Sequence, residues 1–404
     1  MNDFKQPKKT YYDVIIVGGA IMGSSVAWFL SNNEDFDGSI LIVERDPSYE
    51  KCSTSHTNSC IRQQFSSELN IKISQFTANY LKNFRDEMGG NKEIPNLKIQ
   101  NFGYLYLSDN NTFSEILKNS QELQIKCGAE TQILNAEEIK KKFPFYNLSD
   151  IQLGSHNIKD EGYFEGSIMF EWWRKSAKKN NVEYLHNEVV SMSLNNFKNN
   201  VDKVILSTGE EISCGTIVNA SGPRAFLTSK MAGIELPIEP RKRFTYIFSS
   251  NNPLDQELPL TIDPSGIHMR QYGGNTYMAG CFPDPDPAVD YDDFEEDHDM
   301  WENHLWPLIA NRIPQFDALK VESSWAGHYA YNYLDHNAVI GRHDIIKNFI
   351  FINGFSGHGL QQSPAMGRGV SELIIYNEFK SIDLSPFSFS RIKKNEPIIE
   401  TAII

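Results

Sequence analysis

The sequence predicts a mixed α/β fold in which a parallel sheet is assembled from separated stretches of chain, with a second, antiparallel sheet inserted between them. Three observations carry this. Residues 13–17 (Asp-Val-Ile-Ile-Val) form a continuous β-branched run, the kind buried on both faces of a parallel sheet, and a glycine-rich turn follows directly. Similar runs return in the middle of the chain, at 216–220, and near its end, at 349–352. Between them, 103–107 and 243–248, rich in aromatic and β-branched residues, look like strands of a separate sheet. At 404 residues the chain is long for one ordinary domain. The expected division is therefore a discontinuous first domain at 11–95, 155–235 and 320–392, a second at 96–154 and 236–319, and tails at 1–10 and 393–404.

In chain order, a helix is expected at 22–30 and a second strand at Ile40 to Glu44. The turn between them reads Gly18-Gly19-Ala20-Ile21-Met22-Gly23. In such a turn Gly18 permits the tight bend, Gly23 lets helix pack on strand, and a pyrophosphate sits over the helix N-terminus, whose free N–H groups and dipole favour negative charge. Ala20 departs from the usual second glycine, and its methyl crowds the phosphates slightly. Glu44 ends the second strand, where a carboxylate can accept both hydroxyls of an adenosine ribose. The competing reading is any parallel strand–helix–strand unit with a glycine turn. Apolar residues at helical spacing predict a surface helix over 71–88. Segments 204–209 and 211–214 read as a hairpin, 216–220 as a separate return strand, and 363–376 as a helix after the glycine-rich turn 353–359.

Composition excludes several classes. A net charge of -14 and a pI near 5.2 argue against a nucleic-acid partner. Much of the acidity lies between Asp284 and Asp299 and reads as a solvated loop and acidic helix start rather than a metal site, because no ligand spacing repeats. Five cysteines without a CxxC pair fit free thiols in a reducing compartment. No signal-peptide core begins the chain, and glycines break the charge-free run 14–30, so a soluble, cytoplasmic protein without a membrane span is expected.

The sequence resembles the D-amino-acid oxidase superfamily of flavoproteins, in the branch of sarcosine oxidase and dimethylglycine dehydrogenase. The residues that carry the resemblance are spread over nearly the whole chain. They include Val43 to Asp46, Arg62 to Phe65, Leu236 to Arg243, Asp297-His298-Asp299, Trp325 to Gly327, Gly354 to Gln362 and Asp383 to Phe387. The resemblance implies a Rossmann-like FAD domain roofed by an antiparallel substrate domain. It places Arg45, Ser53, Thr54, Ser55 and His56 along the flavin, Val189 at the adenine, and Ala220, Ser221 and Gly222 near the pyrophosphate. Gly327, Gly354, Gly357, His358, Gly359, Leu360 and Gln361 would surround the flavin ring, where backbone N–H groups suit the charge that reduced flavin carries near N1 and O2.

Arg62 matches the arginine that clamps a substrate carboxylate in the sarcosine oxidase branch, and a guanidinium fork suits that partner. The family's second carboxylate ligand, a lysine, falls at Gln361, so the clamp is altered. The cysteine that links flavin in sarcosine oxidase falls at His328, which excludes that attachment, while Ser53-Thr54-Ser55-His56 fits the S-T-x-H pattern of histidyl flavoproteins. His56 thus either links the flavin or merely lines the site. The lysine that the oxidases hold over the flavin falls near Met278, and none occurs between Arg243 and Ala318. His268, His328 and Arg270 are then the other candidates for charge there. Tyr329, Tyr331 and Tyr333 alternate, with Trp325 and His328 nearby, as an aromatic cage for an alkylammonium or as plain packing.

The resulting expectation is an FAD-dependent amine or amino-acid dehydrogenase. It would oxidise the C–N bond of a sarcosine- or dimethylglycine-like secondary or tertiary amine by hydride transfer to flavin N5. Its acceptor would be an electron-transfer flavoprotein, a quinone or O2. The alternatives are an assembly or scaffold factor that binds FAD structurally and a peroxide-producing oxidase. The chain length leaves no room for a tetrahydrofolate-binding extension, so formaldehyde would be released free.

Overall fold

The computed structural model describes residues 4–297 and 299–401; His298 lies outside the described residues. β1 (Tyr11–Val17) runs into α1 (Ile21–Ser31) and then β2 (Ile40–Glu44). These open a sheet in which Glu183–His186, β2, β1, Glu211–Asn219 and Phe349–Asn353 lie parallel in that spatial order, closed by the antiparallel Val339–Arg342. Both faces are covered, which is why β1 reads as a continuous apolar run. Val14 and Ile16 turn to the face carrying α1, Gly166–Lys179 and Gly359–Tyr376, while Ile15 and Val17 turn to the antiparallel meander containing Val189–Leu194 and Val201–Leu206.

The expected hairpin arm at 211–214 and return strand at 216–220 are one strand, Glu211–Asn219. Its first residues pair antiparallel with Val201–Leu206 and its last residues pair parallel with Phe349–Asn353. The strand passes through Gly215, where a Cβ would stand 2.8 Å from the Asp13 carbonyl oxygen. The helix expected at 71–88 is Glu68–Lys82, interrupted at Asn83 and followed by Phe84–Glu87. It is an amphipathic surface helix, with Ile71, Ile73, Thr77, Ala78 and Leu81 buried and Glu68, Lys72, Asn79 and Lys82 exposed. The last long helix starts at Gly359, four residues earlier than expected. Pro364 would leave the Leu360 carbonyl without a backbone donor, and the Ser363 hydroxyl donates to it instead at 2.8 Å.

The second sheet runs Leu319–Asn332, Ile238–Ser250, Thr276–Cys281, His268–Gly273, Leu260–Ile262, Tyr104–Ser108, Leu153–Asn157 and Gln132–Asn135. Phe248, Tyr277, Trp301 and Phe316 pack a core against its outer face. Leu319–Asn332 pairs along its length with Ile238–Ser250, although the sequence grouped 320–392 with the first sheet. The strand Leu153–Asn157 likewise spans the expected border at 155. These two borders fall inside strands, whereas those at 95 and 235 lie in irregular segments. A further antiparallel pair, Cys60–Ile61 with Gly162–Tyr163, forms a separate two-stranded sheet beside Arg62.

Candidate active site

A cavity of about 700 Å³ lies between the layers. Its first end is built from backbone. Gly18 has φ +98°, and a Cβ on it would stand 2.5 Å from the Ala220 carbonyl oxygen; a Cβ on Gly23 would stand 1.9 Å from the Gly18 oxygen. These contacts bring α1 down on β1 and aim its N-terminus into the cavity. Ala20 offers that terminus no side-chain cap, and the helix Gly359–Tyr376 likewise begins without one at His358. The Ile21 N–H donates to the Thr54 hydroxyl at 3.2 Å, and the remaining N–H groups of two helix starts on one cavity suit the phosphates and the electron-rich edge of a dinucleotide flavin. The residues present therefore fit FAD. Glu44, its pKa raised by burial, already takes the N–H groups of Gly19 at 2.7 Å and Asp46 at 2.8 Å, and it still lines the wall.

Of the residues expected around the cofactor, Gly18, Ala20, Ile21, Met22, Glu44, Arg45, Ser53, Thr54, His56, Val189, Ala220, Ser221, Gly222, Gly357, His358, Gly359, Leu360 and Gln361 line the cavity. Gly23, Ser55, Gly327 and Gly354 do not, and each has a local reason. Gly23 serves helix packing, and Ser55 turns its hydroxyl to the Tyr49 carbonyl. A Cβ on Gly327 would stand 2.6 Å from the His56 Cβ, so this glycine seats the histidine from behind. Gly354, at φ +74°, packs against Ile238. His56 Nδ1 bonds the Cys52 carbonyl at 3.0 Å, and Nε2 has no hydrogen-bond partner among the described residues. Ser53 donates to the His328 carbonyl at 2.5 Å, tying the cofactor segment to the roof.

The opposite end is built from side chains. Arg62 lies on the wall though only 1% exposed. Its guanidinium sits 3.9 Å from the centre of the Phe65 ring, donates to the Gln64 carbonyl, and donates to His358 Nε2 at 2.9 Å. Burial and Arg62 itself hold the His358 pKa well below its usual value, so the ring is a neutral acceptor. Gln361 spends its amide oxygen on the Arg62 backbone N–H at 2.9 Å, which keeps only its NH2 for the cavity. Behind them Glu161 is fully buried and accepts from Gln63 N, Gln64 Nε2 and Asn157 Nδ2 at 2.7 to 2.9 Å; burial pushes its pKa up to about 7. Sequence reasoning missed Glu161 because nothing near it in the chain marks it.

Several expectations are corrected here. Only Tyr329 of the tyrosine triplet reaches the cavity, and Arg243 covers its face at 4.6 Å. Tyr331 is covered by Arg241 at 3.8 Å and Tyr333 is 58% exposed, so no aromatic cage forms. Met278 is buried off the wall, whereas His268 and Thr245 lie on it. The acidic stretch is not merely solvated. Asp286 bonds Arg243 through both oxygens at 2.9 Å, Asp293 binds Lys242, and Asp292 bridges Arg224 at 2.8 Å and Arg45 at 3.7 Å. This straps Tyr291, Asp292 and Phe294 against the cavity, with Phe294 stacked on His328 at 4.1 Å. Among the described residues no His, Cys, Asp and Glu cluster could hold a metal, and no helix is long and apolar enough to cross a membrane.

The family described as FAD-dependent oxidoreductase (DAO) matches residues 13–373. FAD-dependent oxidoreductase domain-containing protein 1 of Xenopus laevis is 36% identical over 97% of this chain and 85% of its own length. The mitochondrial sarcosine dehydrogenase of Mus musculus is 21% identical over 95% of the chain and 42% of its own length. Among solved structures, the L-proline dehydrogenase of P. horikoshii superposes with a TM-score of 0.83 at 25% identity, covering 97% of this chain and all of that one. The glycine oxidase of Geobacillus kaustophilus gives 0.79 at 18% identity, covering 95% and 99%, a likeness of fold.

Proposed function

The chain belongs to the DAO family of FAD-dependent oxidoreductases, and we propose that within it the protein oxidises the C–N bond of a small amino acid as a dehydrogenase. The observation that carries this reading is Arg62, a buried guanidinium on the cavity wall, positioned by a neutral histidine and a backbone carbonyl. That arrangement suits a bidentate carboxylate. Phe65 and Tyr106 flank the guanidinium and exclude water, which strengthens the pairing. Bound FAD supplies the two-electron acceptor. The α1 terminus would hold the pyrophosphate, the N–H groups of Gly357, Gly359 and Leu360 would face the flavin while that of His358 is spent on the Phe355 carbonyl at 2.9 Å, and Arg62 would fix the substrate by its carboxylate so that the carbon to be oxidised faces the ring. Relatives and structural neighbours named for sarcosine, proline and glycine chemistry support an amino-acid substrate.

The dehydrogenase reading rests on the wall itself. Lys51, exposed at the rim, is the one lysine on it among the described residues, so no lysine stands where O2 would be reduced. Anaerobic mixing of the holoprotein with a panel of amino acids and N-methyl amino acids tests the activity: flavin bleaching is expected with at least one. No bleaching with any would favour a structural role for FAD. Rapid stoichiometric peroxide in air would replace the dehydrogenase reading by an oxidase.

A further inference from the structure

Asn58 lies on the cavity wall, and Asn58 and Arg62 flank the two-residue strand Cys60–Ile61. Its backbone is fixed, since its carbonyl accepts from Arg270 Nη2 at 2.9 Å. Its side chain is fixed as well, with Nδ2 standing 2.7 Å from His268 Nε2. The His268 ring occupies a seat that only glycine allows opposite it, because a Cβ on Gly280 would stand 2.6 Å from His268 Cε1 and Nε2. Burial, then Arg270 and Arg243, push the His268 pKa down to about 4, so at neutral pH the ring is uncharged and Nε2 can be the acceptor of the Asn58 NH2. The carboxamide oxygen then remains for the cavity, and no described residue hydrogen-bonds it.

We propose that Asn58 is a positioning and specificity residue, whose oxygen accepts an N–H from the substrate amine and so selects primary and secondary amino acids over tertiary ones. This rests on the amino-acid reading of Arg62. The surrounding charge explains why an amide stands there. Arg62 and Arg243 line the same cavity and Arg270 stands behind it, so the site disfavours an ammonium. C–N oxidation needs the neutral amine, whose lone pair becomes the new C=N bond as hydride leaves carbon. A carboxylate would stabilise the ammonium, whereas a neutral oxygen orients the N–H and leaves the lone pair directed along the reacting bond. The substrate is thereby held at two points, its carboxylate on Arg62 and its N–H on Asn58.

The test uses two nearly isosteric carboxylates, pyrrole-2-carboxylate with an N–H and furan-2-carboxylate with an oxygen in its place, titrated into the FAD holoprotein and read by flavin absorbance. Wild type should bind the pyrrole about tenfold more tightly, the worth of one buried hydrogen bond. Asn58→Ala should bring the two within about twofold, mainly by weakening the pyrrole. Asn58→Asp, nearly isosteric and equally able to accept, should keep the preference and guards against a folding defect in the alanine variant. His268→Phe, which removes the partner that orients the amide on the cavity wall, should lose part of it. An unchanged ratio in Asn58→Ala would overturn the inference while leaving Arg62 as the carboxylate site. No spectral response of wild type to either carboxylate would overturn the amino-acid reading and this inference with it.

Discussion

The two ends of the cavity are built by different means. At the dinucleotide end the wall is mostly main chain: Gly18 against Ala220, Gly23 against Gly18, and two helix termini whose N-cap side chains make no bond. At the substrate end the wall is side chains held by other side chains, with Arg62 on His358, Asn58 on His268, and Glu161 gathering Gln63, Gln64 and Asn157. A backbone-built site has no slack, because a single methyl group meets an atom that cannot move. A side-chain site fails by degrees, since each group can be weakened without displacing the rest. The same fold can therefore keep one cofactor while its substrate end changes.

The largest effect should come from the first end. Gly18→Val puts a branched side chain at φ +98° and 2.5 Å from a carbonyl oxygen, and the purified protein should be colourless, with no flavin released on denaturation. A yellow variant with normal flavin content would break the contrast.

At the other end, Arg62→Ala should raise KM for a carboxylate substrate by roughly 10²-fold or more while FAD stays bound, as a buried charged pair is worth about 2–5 kcal/mol. Arg62→Lys should recover only part, since an ammonium lacks the planar fork. An unchanged KM in steady-state kinetics would make Arg62 structural.

Glu161 sharpens the comparison through pH. Its pKa is raised from the ordinary carboxylate range to about 7 by burial. The native state therefore binds a proton that the unfolded chain has lost, and this group's contribution to stability is present below the unfolded pKa and disappears as pH rises through about 7. The Tm of wild type should fall between pH 5 and 8, and Glu161→Gln should flatten that dependence. Parallel Tm profiles for the two proteins would show that Glu161 does not titrate in this range.

The smallest effect belongs to the acidic strap, which touches both ends. Asp292 is half exposed, with Arg224 at 2.8 Å. Asp292→Ala should speed FAD dissociation by about fivefold at most, the range of an exposed ion pair, and salt should reduce the difference. A loss of flavin comparable to Gly18→Val would mean that the strap, not the backbone cradle, retains the cofactor.

How much of this could be read from the chain follows the same division. The glycine turn after β1, the strand ending in Glu44 and the glycine-rich entry to the last helix are short-range patterns, so their chemistry is written in neighbouring residues. Arg62 stood out only through a resemblance, and the tyrosine triplet misled because alternation places residues on one face without saying what covers them. Arg243 and Arg241, on the adjacent strand, cover Tyr329 and Tyr331 here, and Tyr333 stays exposed. By itself, then, the sequence determined the fold class, the cofactor and the family. Tertiary structure alone decided which polar groups became a site, because its bonds join residues far apart: 296 positions for Arg62 with His358, 210 for Asn58 with His268, and 98 for Gln63 with Glu161. No local pattern encodes such pairings, since they exist only where folding removes water and leaves each polar group dependent on whichever partner the two layers bring to it.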